Sequence, residues 1–113
     1  MICNQWDVVV VPFPFLDIPQ EKRRPVLVIS SSQFQKENQS FIGAMITAAG
    51  KSEWQGDTYI HDLESAGLRK NCFIRFKLFT LPLDIQPRRI GTLSERDRKA
   101  FIKNWKSNIP ISY

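Results

Sequence analysis

The chain has 113 residues, of which 42% are hydrophobic and 12% aromatic, and its net charge at pH 7 is +5. That length predicts one globular domain, residues 1–113, with a single modest core. No stretch approaches the roughly 20 apolar residues of a membrane helix, and the N terminus lacks the pattern of a signal peptide. We therefore expect a cytoplasmic protein with no membrane partner.

The positive charge is unevenly distributed along the chain. Residues 1–60 contain five Lys and Arg against six Asp and Glu, whereas residues 61–113 contain eleven against five. A basic half favours a polyanionic partner, and for a single domain that partner is most often nucleic acid. Charge alone leaves open that the protein binds no polyanion at all.

The first half of the chain predicts three strands. The β-branched residues 8–12 form the first strand, whose pairing Pro12 limits. A loop over residues 14–24 follows. Residues 25–30 are apolar on both faces and predict a buried second strand, and residues 41–48 predict a third. The polar stretch between the second and third strands predicts a turn with a short helical piece.

The second half predicts shorter strands and one terminal helix. Strands are expected over residues 58–62, 72–76, 79–81 and 89–92, with a turn over residues 63–67. Ser94 is the predicted N-cap of the helix, with Asp97 at the acidic position of a capping box, and the helix should end before Pro110. Many short strands followed by one helix predict a mainly β, barrel-like domain.

The cysteine and histidine content argues against a metal site. Cys3 and Cys72 have none of the usual ligand spacings, and a Cys/His zinc site would need both of them together with His61, the one histidine. Free thiols are favoured over a disulfide in a cytoplasmic chain, although the sequence leaves the pairing open. The chain also lacks the glycine-rich and nucleophile motifs of nucleotide-binding and hydrolase folds, so we expect no cofactor.

Three consecutive cations precede the second strand: Lys22, Arg23 and Arg24, followed by Pro25. The residue before a proline is driven toward extended geometry, so Arg24 should begin the strand in a fixed orientation. A fixed guanidinium can donate two parallel hydrogen bonds to a phosphate. The alternative is a solvated, cationic loop tip.

Two other strands contribute candidate phosphate-binding residues. Thr47 ends the third strand, where its hydroxyl could donate to a phosphate oxygen or to a local carbonyl group. Arg75 and Lys77 alternate in the fifth strand and are expected on one face, either as a two-cation surface for a nucleic-acid backbone or as ordinary solvent-facing residues.

Loops supply the remaining candidates. Phe15 and Trp54 are the aromatic residues best placed to stack bases, because both lie in predicted loops. Asp17 and Glu21 precede the second strand and are either carboxylate bases or charge partners of the neighbouring arginines. His61 is interpreted as structural or exposed rather than catalytic.

Several of these stretches together resemble one family. Residues 7–15 and 22–29 are similar to the first two strands of the PemK/MazF/Kid toxins of type II toxin–antitoxin systems. Four further stretches agree in order and spacing: residues 46–47, 66–68, 74–81 and 90–94. The resemblance spans nearly the whole chain.

The resemblance implies an SH3-like β-barrel of the MazF/CcdB type with a C-terminal helix, acting as a homodimer. It implies a metal-independent endoribonuclease that cleaves single-stranded RNA at a short sequence. It also implies inhibition by a cognate antitoxin, which we expect to be acidic because the toxin is basic, and binding to operator DNA only as a complex with that antitoxin.

The resemblance also assigns roles to residues. Arg24 and Thr47 fall on the catalytic arginine and threonine of the family, and Arg75 falls on an arginine that Kid-like members use in cleavage. Lys77 stands where those members carry an aspartate base, and their first-loop histidine has no counterpart, so the general base and acid stay unassigned. The expected substrate-binding residues are Phe15, Asp17, Lys22, Arg23 and Lys77.

Two alternatives stay open at this point. CcdB-like relatives share the fold but inhibit DNA gyrase without catalysis, by binding it through residues of the C-terminal helix. Trp105 in the predicted helix of this chain is compatible with such binding. A passive RNA-binding or DNA-binding barrel is the other. The presence of Arg24 and Thr47 favours the endoribonuclease over both.

Overall fold

The structure, a computed structural model, describes residues 3–12, 23–50 and 52–112. In these parts of the chain, six strands form one antiparallel sheet in the order β4-β5-β3-β2-β1-β6. The strands are β1 Asp7–Pro12, β2 Arg23–Val28, β3 Ser40–Ala48, β4 Thr58–Tyr59, β5 Cys72–Pro82 and β6 Arg88–Thr92. The helices are α1 Ser32–Asn38, α2 Leu63–Ala66 and α3 Glu95–Asn108, and a 3-10 turn spans Leu83–Ile85.

The sheet curls into a half-barrel because the segment after β4 crosses to the opposite edge. Helix α2 follows β4 directly and packs against β6, the other edge strand. A side chain at Gly91 of β6 would collide with the backbone of Ala66 in α2, so only glycine permits this approach. Gly67 ends α2 with φ of 73°, the left-handed conformation expected there. The predicted mainly β fold with a C-terminal helix is confirmed.

The two faces of the sheet carry separate apolar clusters. The first lies between the sheet and α3 and includes Val8, Leu27, Ala44, Ile46, Ile74, Leu93 and Phe101. The second lies on the other face and includes Cys3, Val9, Val11, Val26, Val28, Phe41 and Leu81. Alternation along β1 and β2 explains the division, since successive strand residues point to opposite faces.

The two cysteines are free, and each is buried in a different cluster, Cys3 in the second and Cys72 in the first. The predicted free thiols are therefore confirmed. Burial raises the pKa of both thiols above the ordinary value of 9.0, and the charge of Asp7 adds to the increase at Cys3.

Helix α3 begins and ends as the sequence predicts. The Ser94 hydroxyl accepts a hydrogen bond from the Asp97 backbone N–H over 3.2 Å, and the last helical residue is Asn108. The Asp97 carboxylate is fully buried and accepts from the backbone N–H groups of His61 and Asp62, over 3.0 and 2.9 Å. The helix start thus fixes the chain that leaves β4. In the described residues, no helix is long and apolar enough to span a membrane.

Four predicted elements differ from the structure. The strands expected over residues 72–76 and 79–81 are one strand, β5, since Pro82 stands at its end and does not interrupt it. The strand expected over residues 58–62 spans only Thr58–Tyr59, and the expected turn over residues 63–67 contains the short helix α2.

Candidate functional site

Arg24 and Thr47, both predicted from the sequence, lie on the same face of the sheet. Strands β2 and β3 pair Val26 with Met45, Leu27 with Ala44 and Val28 with Gly43. The pairing ends at Val26 and Met45, and the two-residue alternation along each strand puts Arg24 and Thr47 on the face that these two residues share. A guanidinium and a hydroxyl therefore lie on one face of the sheet, near the start of β2 and the end of β3.

Arg24 is half-buried and carries an unsatisfied donor. Within the described residues, its Nε is the only buried side-chain nitrogen or oxygen that lacks a hydrogen-bond partner. Buried polar groups are nearly always paired, because an unpaired one costs about 1 to 3 kcal/mol. On the adjacent strand β1, Arg24 pairs with Val11, which is apolar and fully buried. An anion at this position would satisfy the donor.

A row of paired residues begins at Thr47. Thr47 pairs with Phe73 of β5, and Phe73 pairs with Tyr59 of β4. Thr47, Phe73 and Tyr59 thus form one cross-strand row, on the sheet face that also carries Arg24. At the outer end of this row, Tyr59 is 36% exposed. The row joins the Thr47 hydroxyl to an exposed aromatic surface.

Arg75 does not lie on an exposed face with Lys77, as the alternation in the sequence predicted. Met45 of β3 pairs with Arg75, but the next residue of β3, Ala44, pairs with Leu78. Lys77 therefore lies in a bulge of β5, where it is exposed. Arg75 is only 7% exposed. The bulge breaks the two-residue alternation on which the expected two-cation surface depended.

Arg75 instead anchors the loop between β3 and β4. Its Nε and Nη2 donate to the two carboxylate oxygens of Asp57 over 3.1 and 2.9 Å. Its Nη1 and Nη2 also donate to the hydroxyl and backbone carbonyl of Ser52, both over 3.1 Å. The hydrogen bond to Asp57 raises the pKa of the Arg75 guanidinium above its ordinary value, so the group stays charged.

Trp54 is held on top of this anchored loop. Its backbone N–H donates to Asp57 over 2.9 Å, and its ring centroid lies 4.9 Å from the guanidinium carbon of Arg75. The Trp54 side chain is 47% exposed. The loop aromatic predicted from the sequence is therefore accessible and fixed in place.

The other predicted site residues lie apart from this group or outside the described residues. Arg23 is exposed, and strand alternation sets it on the face opposite Arg24. Phe15, Asp17 and Lys22 lie outside the described residues, as does Glu21. Within the described ranges, no three His, Cys, Asp or Glu side chains are close enough to hold a metal ion.

Three residues of the site were missed in the sequence: Ser52, Asp57 and Tyr59. Asp57 could have been found by pairing the fourth and fifth predicted strands, because the observed pair of Thr58 with Ile74 sets Asp57 opposite Arg75. Trp105, considered above as a gyrase contact, packs against Phe76 and Phe101 with ring centroids 5.9 Å away in each case. It contributes to the core under α3.

Comparison with protein-family models identifies one match, the PemK-like, MazF-like toxin of type II toxin-antitoxin systems, over residues 4–103. No curated protein matches the sequence significantly.

Solved structures with the same fold include several toxins. MazF from Deinococcus radiodurans has a TM-score of 0.75 and 12% identity, covering 98% of this chain and 99% of its own. The Mycobacterium tuberculosis toxin MazF-mt6 has a TM-score of 0.73 and 16% identity, covering 95% and 99%. A mycobacterial endoribonuclease in complex with its cognate antitoxin has a TM-score of 0.73 and 8% identity, covering 99% and 97%. The predicted MazF-type fold is confirmed.

Proposed function

Because the chain belongs to the PemK-like, MazF-like toxins of type II toxin-antitoxin systems, we propose that it is a sequence-specific endoribonuclease that cleaves single-stranded mRNA. The observation that carries the proposal is the unpaired, buried Nε of Arg24, on the sheet face that Thr47 shares. Single-stranded RNA suits this surface, since its unstacked bases can reach the exposed aromatic side chains. A mycobacterial endoribonuclease with the same fold supports the assignment.

In the proposed reaction, the ribose 2′-oxygen attacks the adjacent phosphorus. A phosphorus–oxygen bond forms to the 2′-oxygen and the bond to the 5′-oxygen breaks, while the 2′-hydroxyl loses a proton and the leaving 5′-oxygen gains one. The products are a 2′,3′-cyclic phosphate and a 5′-hydroxyl end. Negative charge builds up on the phosphate oxygens, where the Arg24 guanidinium and the Thr47 hydroxyl stabilise it. Donors fixed before the reaction contribute most to such catalysis.

The remaining predicted residues have supporting roles in this proposal. Arg75 acts electrostatically from the same face, because it lies opposite Met45, the neighbour of Thr47 on that face. Exposed Lys77 holds the RNA backbone. Lys22, Arg23, Phe15 and Asp17 remain candidate RNA contacts.

We extend the proposal to the partners of the protein. The toxin acts in the cytoplasm as a homodimer and is inhibited by an acidic antitoxin that covers the RNA site. The basic charge of the chain favours such a partner, and an endoribonuclease of this fold has been solved with its cognate antitoxin. Operator DNA would be bound by the toxin–antitoxin complex only.

The test is incubation of the purified protein with a long single-stranded RNA in excess EDTA, beside the Arg24→Ala variant. We expect cleavage at a recurring short sequence by the wild type alone, with 5′-hydroxyl ends. Intact RNA in the wild-type reaction would contradict the proposal, and equal cleavage by a folded Arg24→Ala variant would contradict the mechanism.

A further inference from the structure

The cross-strand row ends in an exposed aromatic side chain at the edge of the sheet. Tyr59 lies in β4, two strands away from Thr47, with Phe73 between them. Neighbouring strands are about 4.8 Å apart, which sets Tyr59 about 10 Å from Thr47. At that distance Tyr59 does not contact the phosphate held by Thr47, but it lies in line with it.

In the described part of the chain, the exposed aromatic side chains of Trp and Tyr adjoin this face. Among the described residues, the large hydrophobic side chains that remain exposed are Trp54, Tyr59, Leu78, Ile102 and Ile111. The two aromatic ones, Trp54 and Tyr59, both adjoin the row, Trp54 through its contact with Arg75. Large exposed aromatic rings beside cations are the usual surface on which single-stranded nucleic acids stack their bases.

The Tyr59 ring is held in place before any ligand binds. It contacts the rings of His61 and Phe73 edge-on, with centroids 4.7 and 5.8 Å apart. The Thr58 hydroxyl accepts a hydrogen bond from the Asn104 amide over 2.8 Å, and the Ile60 backbone N–H donates to the Cys72 carbonyl over 3.0 Å. A ring fixed on both sides loses little conformational entropy when a base stacks on it.

We propose that Tyr59 is a base-stacking subsite, supported by His61 and Phe73, that holds an unpaired base next to the nucleotide cleaved at Arg24 and Thr47. The inference rests on the proposed function and adds a subsite to it. Tyr59 is a positioning residue: it fixes the direction in which the RNA crosses the sheet, from β2 over β3 and β5 to β4. It stabilises bound RNA and takes no part in proton transfer.

Binding measurements separate this subsite from catalysis. A single-stranded 2′-O-methyl RNA lacks the attacking hydroxyl at every position, so its affinity can be measured by fluorescence anisotropy without cleavage. We expect Tyr59→Ala to weaken binding about 5- to 100-fold, the effect of losing one stacked base, and Tyr59→Phe to bind as the wild type does. Ile102→Ala is the matched control, because Ile102 is 39% exposed and lies on α3 behind the sheet.

An abasic series identifies the stacked base. Each position of the RNA is replaced in turn by an abasic nucleotide and tested with both proteins. At one position, the wild type should lose affinity while Tyr59→Ala loses none, since the contact is already absent. A structural defect in the variant would not produce this position-specific difference.

The outcomes distinguish this inference from the proposed function. Cleavage by the wild type together with unchanged binding by Tyr59→Ala overturns the subsite alone. RNA binding with the position-specific difference, but without cleavage of ordinary RNA, supports the subsite and overturns the endoribonuclease. Failure of the wild type to bind RNA overturns both. A change of oligomeric state in Tyr59→Ala without weaker RNA binding overturns the subsite and assigns the ring to contacts between copies.

Discussion

Arg75 donates hydrogen bonds to both carboxylate oxygens of Asp57, over 3.1 and 2.9 Å, although the two residues are 18 positions apart. Both side chains are less than 10% exposed, so little water competes for the pair. A parallel pair of bonds between a guanidinium and a carboxylate is among the strongest polar contacts in proteins. The end of the loop before β4, from Ser52 to Asp57, is thereby anchored beside the candidate site.

Replacing Asp57 by Ala should therefore destabilise the fold and release Trp54. The substitution leaves the nearly buried Arg75 guanidinium without the carboxylate that pairs with it. We expect the free energy of unfolding to fall by about 3 kcal/mol as a result. Urea denaturation measures the loss, and Trp54 fluorescence in the native baseline reports the released ring. The control is Lys99→Ala, which removes an ion pair with Glu95 whose side chains are 77% and 82% exposed. It should cost less than about 0.5 kcal/mol, and equal losses would contradict the anchoring role.

RNA cleavage should depend on the hydroxyl of Thr47 rather than on the shape of its side chain. Thr47→Val keeps the β-branched form but removes the donor, so we expect kcat for RNA cleavage to fall about 100- to 1000-fold with little change in stability. Thr47→Ser keeps a hydroxyl and should retain most of the activity. Equal activity of the Val and Ser variants, measured on one RNA, would argue that Thr47 serves only to pack the end of β3.

Lys77 should contribute to RNA binding through charge alone. Removing one contact to a phosphate lowers the slope of log affinity against log salt concentration by about 0.7 for single strands. We expect that change for Lys77→Ala, measured on uncleavable RNA between low and physiological salt. Lys103→Ala removes another exposed lysine, from α3, and should leave the slope as it is in the wild type. Identical slopes for all three proteins would exclude Lys77 as a phosphate contact.

The buried thiols should make stability fall at alkaline pH. Because burial raises the pKa of Cys3 and Cys72 in the folded state, the unfolded chain releases these protons first as the pH rises. Their contribution is therefore fully present below the ordinary thiol pKa of 9.0 and is lost as the pH rises through the folded values. Denaturation midpoints of the wild type and of a Cys3→Ala, Cys72→Ala variant should keep a constant difference below pH 8. The difference should then shrink above pH 9, and a pH-independent difference would contradict this account.

Much of the scaffold was predictable because local patterns determine it. The β-branched run of β1, the extended start that Pro25 gives β2, and the Ser94 cap of α3 each depend on neighbouring residues. Arg24 and Thr47 were accessible to the same reasoning, since both stand at strand ends. That the two side chains act together could only be hypothesised from the family resemblance.

The rest of the site depends on pairing between distant strands. Whether Arg75 is exposed is decided by the bulge at Lys77 and by Asp57 in the preceding loop. Alternation within β5 assumes uniform pairing and so predicted the wrong surroundings for Arg75. Tyr59 was missed for a similar reason: its exposure matters only once the register aligns it with Phe73 and Thr47.

Strand β1 lies between β2, which follows it closely in the chain, and β6, which comes near the C-terminal end. The contact of Asp7 with Arg89 closes a separation of 82 residues. During synthesis, β1 and β2 can pair early, but the outer side of β1 has no partner until β6 has been made. Contacts between such distant segments form late because closing a long loop has a high entropic cost. The toxin therefore completes its sheet only after β6 has left the ribosome.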